Sequence, residues 1–93
     1  AIPWHSLRSK TAREIINVLY RDGFTLRPSA GSHQRFRHHD GRRVTVTLHS
    51  PGQTFGINLL QRMIRDQAHW NEEYLDTQDS SEEAPLVITE NKV

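Results

Sequence analysis

The stretch Gly31-Ser32-His33-Gln34-Arg35-Phe36-Arg37-His38-His39-Asp40-Gly41-Arg42-Arg43-Val44-Thr45-Val46-Thr47-Leu48-His49 decides how this chain folds. It reads as two strands around a tight turn. Residues 33–38 and 43–49 alternate side chains between two faces, the period of a half-buried strand. Between them stands His39-Asp40-Gly41-Arg42, and Asp-Gly is a strong hairpin signal because the favoured two-residue turns need positive φ. Val44, Val46 and Leu48 share one face of the later strand; Arg43, Thr45, Thr47 and His49 share the other. On the earlier strand Phe36 points to the apolar side with Gln34 and His38. His33, Arg35 and Arg37 point away from it.

Working outward, Phe24–Ser29 alternates as a third strand, with Phe24, Leu26 and Pro28 on one side and Thr25, Arg27 and Ser29 on the other. Residues 29–32 are a loop of small side chains. Upstream, Ser9–Asp22 has a helical stripe of Ala12, Ile15, Ile16 and Leu19. Ser9 can cap it, and Thr11 with Glu14 offers a second, capping-box register. Gly23 stands where a left-handed residue ends a helix. Ala1–Arg8 reads as a short extension. Downstream, Ser50–Gln53 is a loop, and a helix runs from Phe55 or Gly56 to Gln67 with Ile57, Leu60, Met63 and Ile64 inward. Trp70–Leu75 makes one more turn, capped near Asn71. From Asp76 the chain is polar and acidic and reads as a flexible tail, 76–93, attached to a domain of residues 1–75.

The expected fold class is therefore α+β in the order α-β-β-β-α. Two amphipathic helices cover one face of a three-stranded antiparallel sheet, and the other face stays open.

Composition narrows the function. Ninety-three residues make one modest domain. The chain has no cysteine, which removes disulfides and thiolate zinc sites. No apolar run approaches a membrane span, and Ala1–Ser6 lacks the basic start and apolar stretch of a signal peptide, so a cytoplasmic protein is expected. The net charge of +1 hides an asymmetry. Up to Arg65 there are eleven basic residues, all but one arginine, against three acids; from Asp66 there are eight acids against Lys92. A basic body dominated by arginine points to phosphate-bearing partners.

The open face gathers His33, Arg35 and Arg37, with Arg27 and Arg43 from the neighbouring strands. That set suits RNA cleavage. RNA carries its own nucleophile, the 2′-hydroxyl; the protein must take its proton, stabilise charge on phosphorus and protonate the leaving oxygen. The ordinary histidine pKa, about 6.5, makes both protonation states available near neutrality. Arginine forks hold phosphate oxygens. Ser32 can donate to phosphate, and Gln34 can assist positioning. His49, one strand over on the same expected face, is the candidate second proton-transfer group. No metal is expected, since no helical pair of histidines or cysteine cluster appears. A non-catalytic RNA-binding module of the same fold is the alternative; it would share the charge but need no histidine.

The run Asp22-Gly23-Phe24, Gly31-Ser32-His33-Gln34-Arg35-Phe36, Asp40-Gly41-Arg42-Arg43-Val44-Thr45-Val46, His49 and Leu60-Gln61-Arg62-Met63-Ile64-Arg65-Asp66-Gln67 resembles the HicA family of toxins, from about Pro3 to Leu75. The resemblance implies a fold like that of double-stranded RNA-binding domains and an mRNA interferase, an endoribonuclease that cuts without cofactor or metal. It implies that the histidine of the Gly-Ser-His step, His33, is catalytic. It also implies a HicB-type antitoxin that binds the toxin and blocks that histidine. Gln67-Ala68-His69-Trp70 departs from the family where a glycine turn is common.

Overall fold

The computed structural model describes residues 1–81. The hairpin forms as β2 (His33–Arg37) and β3 (Arg43–Thr47), and β1 (Thr25–Arg27) pairs antiparallel along the other side of β2, giving the sheet order β1-β2-β3. Phe36 lies opposite Leu26 on one side and Val44 on the other, and Gln34 lies opposite Val46. Phe36, Val44 and Val46 are buried in one core with Ile15, Leu19, Phe24, Leu60, Met63 and Ile64. All the helices' apolar stripes meet this single face, so the expected two-layer α+β architecture is the observed one.

Helix α2 (Ala12–Asp22) begins in the capping-box register rather than at Ser9. Glu14 N–H donates to Thr11 Oγ1 (3.2 Å), and Thr11 N–H donates to Glu14 Oε1 (2.8 Å). Ala12 and Arg13 N–H donate to the carbonyls of Gln53 and Pro51 (2.8 and 3.0 Å), which ties the loop after β3 to the helix. Ser9 Oγ instead donates to Ser6 O (2.7 Å). At the other end Gly23 N–H reaches Tyr20 O and Phe24 N–H reaches Leu19 O, both at 3.0 Å, a Schellman ending. Gly23 has φ 107°, and a Cβ there would sit 3.0 Å from His38 Nε2, so the position requires glycine twice over.

Several expected boundaries move, each for a local reason. The N-terminal extension contains a one-turn helix, α1 (Trp4–Leu7), with Leu7 buried and Ile2 and Trp4 against the core. Strand β1 is half the expected length: Phe24 belongs to the helix exit, and Pro28 has no N–H to continue the ladder. Leu26 faces the apolar side as expected, but at the sheet edge it stays 44% exposed. Helix α3 (Ile57–Leu60) runs on into a π-helical segment (Gln61–Gln67), where Ala68 N–H reaches back five residues to Met63 O (2.8 Å). His69 then takes φ 59°, supplying with a side-chain-bearing residue the left-handed turn for which the resemblance favours glycine. Asn71 caps α4 (Glu72–Ser81), its Oδ1 accepting from Tyr74 N–H (2.8 Å). The helix therefore continues six residues past Leu75, into the stretch read as a tail; the rest of that stretch, 82–93, lies outside the described residues. No described helix is long and apolar enough to cross a membrane.

Candidate nucleic-acid interface

Strand alternation and register together build the open face. His33, Arg35 and Arg37 are exposed on β2, on the side opposite Phe36. Arg35 stands between Arg27 on β1 and Thr45 on β3; Arg37 stands between Thr25 and Arg43; His33 faces Thr47. The face thus has two cationic rungs across the sheet, Arg27–Arg35–Thr45 and Thr25–Arg37–Arg43. His33 sits at the end of the same row.

The rungs set arginine directly against arginine twice. Ser32 O accepts from Leu48 N–H (2.7 Å) and Arg42 O from His38 N–H (2.9 Å), so the hydrogen-bonded pairs of the β2–β3 ladder are the even-numbered ones. Arg37 and Arg43 therefore face each other in a non-hydrogen-bonded pair, the closer of the two kinds. Like charges directly opposite destabilise a sheet by a few tenths of a kcal/mol or more, on the order of 0.2–1. No carboxylate relieves this: Arg27, Arg35, Arg37 and Arg43 have no ion-pair partner among the described residues. A row of unpaired cations on an exposed face is an arrangement that attracts anions.

The same geometry sorts the other expected residues. Ser32, half-buried, precedes His33 and is fixed through its carbonyl on Leu48. Gly31 has φ 66° with open space where a Cβ would go, so conformation rather than crowding calls for glycine there. Gln34 does not join the set: it is half-buried on the helix-facing side, opposite Val46. His49 does not lie on the strand either, because β3 stops at Thr47. Gln53 binds the outer edge of the backbone there. Its Nε2 donates to Thr47 O (2.8 Å) and its Oε1 accepts from Ser50 N–H (3.0 Å) and from His49 N–H. The outer edge of β3 is closed by a second glutamine, Gln67, whose Oε1 accepts from Thr45 N–H (3.1 Å). Neither glutamine role was predicted, since a side chain that replaces a missing strand leaves no periodic signal. Among the described residues no three His, Asp or Glu side chains form a group that would hold a metal ion.

Beneath the sheet the polar chemistry is of the opposite kind. Asp22 Oδ2 accepts from Arg42 Nη1 (2.9 Å) and Trp70 Nε1 (2.8 Å). Arg42 also donates to Ala68 O (2.6 Å) and Asp40 Oδ2 (2.8 Å), and its guanidinium lies over the Phe24 ring. His38 is buried, 6% exposed. Asp40 N–H donates to its Nδ1 (3.1 Å), which leaves the proton on Nε2 to donate to Asp22 O (2.8 Å). The Arg42 backbone N–H, followed by its guanidinium, holds the Asp40 carboxyl below its ordinary value. This cluster joins the end of α2, the hairpin turn and the segment before α4, and so keeps the hairpin rigid under the open face.

A comparison with curated proteins finds no match. The family model of the HicA toxin of bacterial toxin–antitoxin systems matches residues 12–68, from the start of α2 through all three strands to the end of the π-helical segment. That span is more than half of the chain and contains every residue of the open face and of the cluster beneath it except Trp70. The chain belongs to the HicA toxin family of bacterial toxin–antitoxin systems.

Proposed function

We propose that this chain is an endoribonuclease that cuts mRNA by metal-independent acid–base chemistry at His33, and that a HicB-type antitoxin restrains it by covering the open face. The observation that carries the reading is the position of His33, exposed at the end of a row of arginines that have no ion-pair partner among the described residues. In the reaction His33 takes the proton of the ribose 2′-hydroxyl, and the 2′-oxygen bonds to the adjacent phosphorus. The bond from phosphorus to the 5′-oxygen breaks, and that oxygen leaves with a proton returned by His33 or by water. Arg35, two residues along the same face, neutralises the charge that builds on the non-bridging oxygens. Ser32 adds a hydrogen bond; Arg27, Arg37 and Arg43 hold the flanking backbone.

One observation favours a second reading, a binding module without catalysis: the second proton-transfer candidate, His49, lies outside the strand that would have aligned it with His33. Incubation of the chain with RNA in excess chelator separates the two. Cleavage in chelator is expected; binding with no cleavage, with or without metal ions, would support the second reading instead.

A further inference from the structure

The cations of the open face lie on one side of His33 only. From His33 the row runs through Arg35 and Arg37 toward the hairpin, with Arg27 and Arg43 beside them, and a shallow basin on this face is lined by those four arginines and Thr45 but not by His33. A neighbouring hollow that shares Arg43 is lined by carboxylates already paired, Asp40 with Arg42 and Asp66 with Arg65. On the other side of His33 lie Ser29-Ala30-Gly31-Ser32 and Leu48-His49-Ser50-Pro51-Gly52-Gln53, with no Lys, Arg, Asp or Glu among them. Arg13 reaches that loop through its backbone N–H on Pro51 O and belongs to the helix layer.

Spacing turns this asymmetry into a register. Residues two apart on a strand stand about 7 Å apart. His33, the Arg27–Arg35 rung and the Arg37–Arg43 rung are thus three stations at equal steps, a stride that consecutive phosphates of an extended strand can follow. The open face also presents no Phe, Tyr or Trp side chain in β1, β2 or β3, since Phe36 is buried. No large aromatic platform for bases stands at those stations, and their forked cations suit the phosphate backbone.

We infer that the site has a one-sided footprint: the phosphate being cut lies between His33 and Arg35, and the next phosphates on one side of it alone are gripped by the two arginine rungs, without regard to base. This rests on His33 as the cutting residue. The test uses DNA strands carrying a single ribonucleotide, which fixes the cut, lengthened one nucleotide at a time on the 5′ or the 3′ side. Adding phosphates on one side should raise kcat/KM about tenfold per rung and then level off after the second, as expected for charge-assisted contacts. Adding them on the other side should change it less than about threefold. In Arg37→Ala and Arg43→Ala the gain from the second phosphate should shrink to less than about threefold. Equal dependence on both sides, or an undiminished second-phosphate gain in both variants, overturns the inference. A readout independent of cutting is NMR titration with a 2′-O-methyl tetranucleotide. Amide shifts should concentrate at residues 25–27, 33–37 and 43–45; shifts as large at 29–32 and 48–53 overturn the one-sided footprint even if no strand is cut.

Discussion

Arg42 and Arg43 are neighbours in the chain, yet Arg42 is satisfied by two carboxylates, a carbonyl and an aromatic face, and Arg43 faces only another arginine. The difference comes from the turn and the pleat, which send successive side chains to opposite sides of the sheet. Below the sheet, charges are part of the fold's own hydrogen-bond network and hold three segments together. Above it, the charges have no ion-pair partners among the described residues and repel one another. The same residue type therefore holds the fold together on one side and stands free of it on the other.

The contrast breaks most visibly at Asp22. Asp22→Ala leaves the Arg42 guanidinium, mostly buried, and the Trp70 N–H without their shared acceptor, and should lower unfolding free energy in urea by about 3 kcal/mol. A loss below about 1 kcal/mol would mean the cluster is ordinary surface chemistry. Next comes Thr11→Ala, which removes a cap and should cost about 1 kcal/mol. Glu14 adds a pH signature to the same cap. The Thr11 backbone N–H holds its carboxyl below the ordinary 4.5. A carboxyl lowered in the folded state stabilises fully above its unfolded value and loses that contribution as pH falls through the folded one. The stability gap between wild type and Glu14→Gln should thus be constant above about pH 5 and close progressively in acid. His69→Gly relieves a left-handed φ and should gain roughly 0.5–1 kcal/mol, less whatever the His69 ring contributes on Asp66 O. The smallest stability change sharpens the comparison most. Arg37→Ala should raise stability by a few tenths of a kcal/mol while weakening RNA binding and lowering the slope of log affinity against log salt by about 0.7. A stability loss there would place Arg37 with Arg42 rather than with Arg43.

The alternation of 33–38 and 43–49 was enough to place Phe36, Val44 and Val46 in the core and His33, Arg35, Arg37 and Arg43 on the open face, because period-two patterns map directly onto faces. His38 was assigned to the buried side for the same reason, but its partners were not legible. They come from Asp22 and Asp40, brought together only when helix and turn pack. Strand ends were the least visible feature: Gln53 and Gln67 replace ladder partners from outside the strands, and a single glutamine gives no pattern. Gln34 was placed on the apolar side by the same alternation, and it stands there, half-buried opposite Val46; its expected positioning role rested only on its place next to His33 in the sequence. The π-helical segment and the left-handed His69 carry no periodic signal and are visible only in the backbone.

The most direct measurement is the initial rate of RNA cutting by the chain and by its His33→Ala form, in chelator, with the urea midpoint of each. Loss of at least about 100-fold in rate with an unchanged midpoint is the predicted result, since acid–base catalysis contributes on that order and an exposed side chain holds little of the fold. Equal rates in the two forms would contradict it.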